Sequence, residues 1–245
     1  MSKFEKSTVK CPHCGELVEF RLWRSINTAD SPELKEQVRA GSLFHVKCEK
    51  CGKKFTIPYP CLYNQMEDGV LVYLVPEESV GQVEEMFASQ GFDNSGIRPA
   101  YRIVTSYNQL REKLMIFDDQ RDDRAVELAK SLYMEQLMQH NIDDFLYSGR
   151  NQGVEPVLIA FKNGKPFAHC PLSDQLYAEM AEMVAHMEED LSKDYVIDYN
   201  WAKAHFKGDK HFRSHEEMET VESQYPCGGK CRAHHHETHK MHEKS

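Results

Sequence analysis

Along residues 16–23 apolar and charged side chains alternate, with Val18, Phe20 and Leu22 set against Glu19 and Arg21. That period of two predicts a half-buried strand. The following segment, INTADSPELKEQVRAGS, predicts a loop and a short helix. Ser31 is placed to act as its N-cap and Pro32 to take the first helical position. Glu33 and Glu36 lie near its positive end, and Gly41 supplies a stop. LFHVKCEKCGKKFTIPY carries two short strands, and the apolar run VLVYLV at residues 70–75 reads as a buried strand. These segments suggest a small, mostly β module with a short helical insertion.

From Pro76 the period becomes helical. Residues 79–90 predict a helix closed by Gly91, and residues 101–106 a short strand. Two longer helices follow. Leu110, Leu114 and Phe117 share a face of the first, while Ala125, Val126, Leu128, Ala129, Leu132, Tyr133 and Leu137 form a broad stripe on the second. In VLIAFKNGKPFAHC, Asn163 and Gly164 suit the positive φ angles of a tight hairpin, and Pro166 places the returning strand at an edge. Ser173 then caps a helix predicted to align Leu176, Met180, Met183, Met187 and Leu191. That methionine-rich face is read as core packing, not as a metal site. Past Trp201 the apolar period fails, and the polar, Gly- and His-rich remainder reads as a mobile tail.

The pattern therefore predicts an α+β chain. Its expected organisation is a zinc-binding domain at 8–145 (a β module at 8–77 and a helical part at 78–145), a hairpin-plus-helix unit at 150–205 packed on it, and a Cys/His-rich tail at 206–245. With 245 residues, 40% of them hydrophobic and 28% charged, the chain can bury a core without covalent staples. No apolar stretch is long enough to span a bilayer, and MSKFEKSTVK lacks the apolar core of a signal peptide. Both points suggest a cytoplasmic protein, in which the eight cysteines are thiols. The net charge of −9 is uneven, about +4 over residues 1–60 and −13 over the remainder. Thiolates around one metal would reduce the positive part further, which argues against non-specific binding to phosphate backbones.

Chemistry enters with the cysteines. Cys11-Pro-His-Cys14-Gly15 and Cys48-Glu-Lys-Cys51-Gly52 each hold two thiols two residues apart, so that both sulfurs of a pair can point at one ion. Two such turns supply the four sulfurs of a tetrahedral zinc site, Cys11, Cys14, Cys48 and Cys51. Each following Gly permits a positive φ and brings N–H groups toward the sulfurs. Residues 15–47 separate the pairs, longer than the usual spacing of about 15 to 20 residues, and the helical insertion accounts for the excess. A redox dithiol would precede a helix, whereas strands are predicted after both pairs, so a structural Zn2+ is favoured.

The segments CPHCG, PELKEQVRAGSLF, CEKCG, YPCLY and YRIVTSYNQLREKLMIFDDQRDDRAVELAK together resemble the CpXC family of bacterial and archaeal proteins. Two Cys-pair motifs mark that family, the first with Pro after its leading Cys. The likeness runs from about residue 8 to 145, and the second pair, CEKC, departs from it by lacking the Pro. The resemblance implies a cytoplasmic protein with a zinc-ribbon-like module and no established activity.

Three other groups carry candidate chemistry. Asp122 and Asp123, in the run DDQRDDR at 118–124, could bind a cation or move protons, but acids before a helix also cap its N–H groups and pair with adjacent arginines. Cys227, Cys231, His234, His236 and His239 could form a second metal site in the tail, though C-x3-C predefines no geometry. Cys61 and Cys170 read as small buried hydrophobes and His45 as a partly exposed strand residue. No Ser-His-Asp arrangement or phosphate-binding glycine loop is present. The reading that asks least is a non-enzymatic zinc-binding module that contacts another protein. Its rivals are an enzyme with a cleft between the zinc module and the helical part, recognisable by convergent polar groups, and a nucleic-acid-binding regulator. The last would need Arg21, Lys47, Lys50, Lys53 and Lys54 in one exposed patch.

Overall fold

The computed structural model describes residues 1–150 and 155–206. The fold is α+β, as the segment pattern predicts. Five strands form the main sheet: β1 (Lys3–Lys10), β2 (Leu17–Asn27), β5 (Cys61–Gln65), β6 (Val70–Leu74) and β7 (Ala100–Val104), in that order. β1 and β2 make an antiparallel hairpin, β2 runs parallel to β5, β5 antiparallel to β6, and β6 parallel to β7. The crossover from β2 to β5 contains helix α1 (Glu33–Ala40) and a second, small hairpin, β3 (His45–Lys47) with β4 (Lys54–Thr56).

β6 is apolar throughout because both of its faces are covered. Val70, Val72 and Leu74 enter the main core, while Leu71 packs on the opposite face with Val83 and Phe87 of α2 (Val80–Ser89) and with Tyr195. α1 starts later than its sequence suggests. Pro32 occupies the N-cap and the Ser31 side chain caps nothing, but Gly41 ends the helix at φ 80° as expected. A Cβ at Gly41 would also stand 2.6 Å from the Tyr107 hydroxyl, which donates to the Val38 carbonyl at 2.7 Å. Bidentate pairing of Arg39 with Asp118 then ties α1 to α3 (Tyr107–Asp118).

Ser106 begins α3 with a reciprocal capping box, its hydroxyl accepting from Gln109 N–H while the Gln109 side chain accepts from Ser106 N–H. α4 (Asp123–Met138) packs against α3, α5 (Asp174–Ala185) and α6 (Tyr199–His205). A three-stranded sheet, β8 (Asp144–Tyr147), β9 (Val157–Lys162) and β10 (Lys165–Pro171), completes the molecule with β10 at its edge. Its hairpin turns through Asn163 and Gly164 at φ 53° and 67°. β8 and β9 therefore pair across the line expected to separate 8–145 from 150–205, and one core cluster extends from Ile26 to Ala202.

The helix capped by Ser173 is shorter than its apolar stripe. It stops at Ala185, and Met187 and Leu191 reach the core from the segment beyond it. Glu188, Glu189 and Asp190 would otherwise lie at the negative end of the helix, where acids are unfavourable. Among the described residues no helix is long and apolar enough to cross a membrane.

Candidate metal centre

The two cysteine pairs sit at the tips of the two hairpins, Cys11 and Cys14 between β1 and β2, Cys48 and Cys51 between β3 and β4. The turns repeat each other bond for bond. Cys11 N–H donates to Glu16 O at 2.8 Å and Gly15 N–H to Cys11 O at 2.9 Å. In the second turn Cys48 N–H donates to Lys53 O at 2.9 Å and Gly52 N–H to Cys48 O at 2.8 Å. Gly15 and Gly52 adopt φ 73° and 71°, the left-handed conformation that favours glycine.

All four sulfurs lie within 4.8 Å of one another. Cys11 Sγ is 3.7 Å from Cys51 Sγ, and Cys14 Sγ is 3.6 Å from Cys48 Sγ. Four sulfurs at about 2.3 Å from a central ion in tetrahedral geometry stand about 3.8 Å apart, so this cluster could hold one metal ion. Cys11 and Cys48 are buried beside Val9, Val18, Val46 and Phe55, Cys51 is half-buried, and Cys14 is exposed. Lys50 donates to Glu16 at 2.6 Å and so bridges the two tips.

Ionisation of the thiols is coupled, the neighbouring sulfurs favouring the thiolate at Cys11 and opposing it at Cys14. Burial raises Cys11, but backbone N–H groups of His13 and Cys14 outweigh it and bring the thiol down to about 7. At Cys14 the backbone at Glu16 favours the thiolate, yet partial desolvation and the neighbouring sulfurs of Cys48, Cys11 and Cys51 push it up to about 12. A divalent cation is what allows all four to be thiolates together.

The acidic run takes a different part. Asp122 is the N-cap of α4, accepting from Arg124 N–H at 3.0 Å and pairing with the Arg124 guanidinium at 2.8 Å. Asp123 is fully buried between Arg102, 2.8 Å away, and Lys113, 2.9 Å away. Burial alone would raise its carboxyl, and these two cations hold it well below the usual carboxylate range. Asp119 accepts from Tyr147 OH at 2.6 Å, and Arg121 pairs with Asp174 at 2.5 Å. Each charged member of the run thus has a fixed partner, the capping and pairing arrangement that acids before a helix allow.

Sequence reasoning missed the rest of this network. Glu112, Lys113, Glu127 and Lys130 are all buried; Lys130 pairs with Glu112 at 3.1 Å and Glu127 at 3.0 Å, and Lys113 lies 3.3 Å from Glu127. Burial pushes the Glu112 carboxyl up against the pull of Lys130, while Glu112 and Glu127 keep Lys130 strongly basic despite its burial. The available signal was the width of the α4 stripe, since a helix apolar nearly all round is enclosed and its charged residues are enclosed with it.

Among the remaining candidates, Cys61 and Cys170 are fully buried, and burial raises the Cys61 thiol to about 12. His45 is exposed on β3. Arg21, Lys47, Lys50, Lys53 and Lys54 are all exposed, with Lys47 directly opposite Lys54 across the small hairpin. Cys227, Cys231, His234, His236 and His239 lie outside the described residues. The family model described as CpXC protein matches residues 9–130, a span that includes both cysteine pairs and ends within α4. No curated protein and no solved structure matches the chain.

Proposed function

Because residues 9–130 place this chain in the CpXC family, we propose that the four cysteines hold a structural zinc ion and that the joined hairpins form a zinc-ribbon-like protein-interaction or regulatory module of the cytoplasm, without catalysis. The observation that carries the reading is the pair of sulfur spacings, 3.6 and 3.7 Å, beside the edge of about 3.8 Å expected for a tetrahedral zinc tetrathiolate. Zinc suits such a site because it imposes no geometry beyond the tetrahedron and undergoes no redox change. A reducing compartment keeps the thiols available to it.

A groove of about 390 Å³ between the ribbon and α1 supports the interaction role. Its lining is mainly polar, with Arg21, Glu33, Gln37, Ser42 and His45 set beside the apolar Phe20, Trp23, Leu43 and Val46. Binding of nucleic acid is the second reading, favoured by the facing Lys47 and Lys54 and opposed by the acidic remainder of the chain.

Elemental analysis of protein purified without added metal is expected to find about one zinc per chain, and Cys48→Ser to lower both metal content and melting temperature. Metal-free protein with an unchanged melting temperature would defeat the proposal. Salt-dependent affinity for DNA or RNA, abolished by Lys47→Ala with Lys54→Ala, would move the assignment to the second reading.

A further inference from the structure

A cavity of about 400 Å³ opens beside α3 and α4, walled by the β7–α3 junction, β8 and residues 196–199. It is not the cleft expected between the zinc module and the helical part. We propose that it binds a linear aliphatic diamine or polyamine.

Its floor holds a buried acceptor without a donor. The Lys130 ammonium spends its three protons on Glu112 Oε1 at 3.1 Å, Glu112 Oε2 at 3.3 Å and Glu127 Oε1 at 3.0 Å. Glu127 Oε2 lies equally near that nitrogen, at 3.0 Å, yet accepts no hydrogen bond, and the side chain is only 2% exposed. An incoming ammonium or amine N–H supplies what that oxygen lacks.

The charge around the cavity is net negative. Lys113 and Lys130 offset Glu112 and Glu127 in the floor, and Arg102 offsets Asp123 beside Lys113, so that part is neutral. Asp144 and Asp198, half-buried, and Glu77 and Asp143, exposed toward the mouth, also line the space or its rim. None of these four has a cationic partner among the described residues. Asp144 accepts from the neutral Asn108 amide, Asp143 from Gly164 N–H, and Asp198 from Trp201 N–H as the N-cap of α6. The net negative potential excludes anions and favours cations.

The spacing of these acids decides between cations. Among the described residues only the four cysteines bring three or more ligand atoms within 4.8 Å of one another, so the cavity carboxylates are too dispersed to share one metal ion. Val104, Ile142, Phe145 and Ile197 line the same cavity and offer apolar wall to a methylene chain. The four acids of the lining and rim, the Glu127 Oε2 acceptor in the floor and that apolar wall match a molecule with ammonium groups at the ends of an alkyl spacer.

Titration calorimetry of the full-length, metal-loaded protein with spermidine is expected to show one saturable site. The double variant Asp144→Asn/Asp198→Asn keeps an acceptor for Asn108 and a good N-cap for α6, and it should weaken binding at least tenfold. Glu33→Gln/Glu36→Gln removes equal charge from α1, outside the cavity, and should leave affinity unchanged. Absence of saturable binding, equal loss in both double variants, or saturation of the site by Mg2+ or Ca2+ in place of spermidine would overturn the proposal.

Discussion

The hairpin tips and the floor beneath α3 and α4 both crowd acidic groups into a small volume, and they compensate them by opposite means. At the tips four thiols converge without a paired cation among them, and Lys50 nearby is committed to Glu16. In the floor three carboxylates meet three cations carried on β7, α3 and α4. A cluster that supplies its own counter-charges needs no metal ion to balance it, whereas one that does not could hold one. The acidic run weighed as a candidate for chemistry belongs to the first kind, and the cysteines to the second.

The largest effect expected on this contrast comes from Cys48→Ser. Structural zinc binds with an apparent free energy of about 10–16 kcal/mol in small zinc-finger peptides, so loss of a ligand should release the ion. Hydrogen exchange should then show lost protection in residues 9–18 and 45–56, with the core from Ile26 to Ala202 still protected. Uniform loss across the chain would show that the two regions are not separable.

Next is Asp123→Asn, which leaves Arg102 and Lys113 buried without their carboxylate. Denaturant unfolding should register about 3–5 kcal/mol of destabilisation, with the metal still bound in the native state. The same side chain predicts a pH dependence. Its folded pKa is depressed, so its contribution is complete above the unfolded carboxylate value of about 3.9 and is lost as pH falls below that toward the folded value. Wild-type stability should therefore decline below about pH 4, and the Asn variant should lack that part of the decline.

A smaller change is expected from Gly15→Ala. No atom lies within 4 Å of the added Cβ, so only the strain of φ 73° remains, about 1–2 kcal/mol. It should appear as roughly tenfold weaker metal affinity in a chelator competition, with unfolding of the main core unchanged. Deleting residues 226–245 is expected to have the least effect, leaving one metal equivalent in the protein by elemental analysis. Loss of that equivalent would relocate the site to the tail.

Much of this was legible wherever the chemistry is local. The Cys-x-x-Cys-Gly turns, the Gly41 stop, the Asn163-Gly164 hairpin and the Ser173 cap depend on a few consecutive residues and form as their types predict. β1 was not legible, because its side chains are almost all exposed and backbone pairing with β2 alone defines it, leaving no apolar alternation to find. β5 was hidden for a different reason. Its inward positions are Cys61, Tyr63 and Gln65, and Tyr63 OH donates to Gln65 at 2.5 Å, so polar residues occupy a buried face. The floor network was invisible as a unit, since Arg102, Lys113 and Asp123 meet only when β7, α3 and α4 have packed.

The second hairpin is an excursion within the β2-to-β5 crossover, while the first extends from the sheet itself. Each tip alone is a two-toothed chelator of modest grip. Because the paired strands and α1 hold one tip opposite the other, the second dithiol meets an ion already on the first at a high effective concentration. An ion held there would exchange outward past the exposed Cys14, at a rate set by how often one hairpin swings away from its twin.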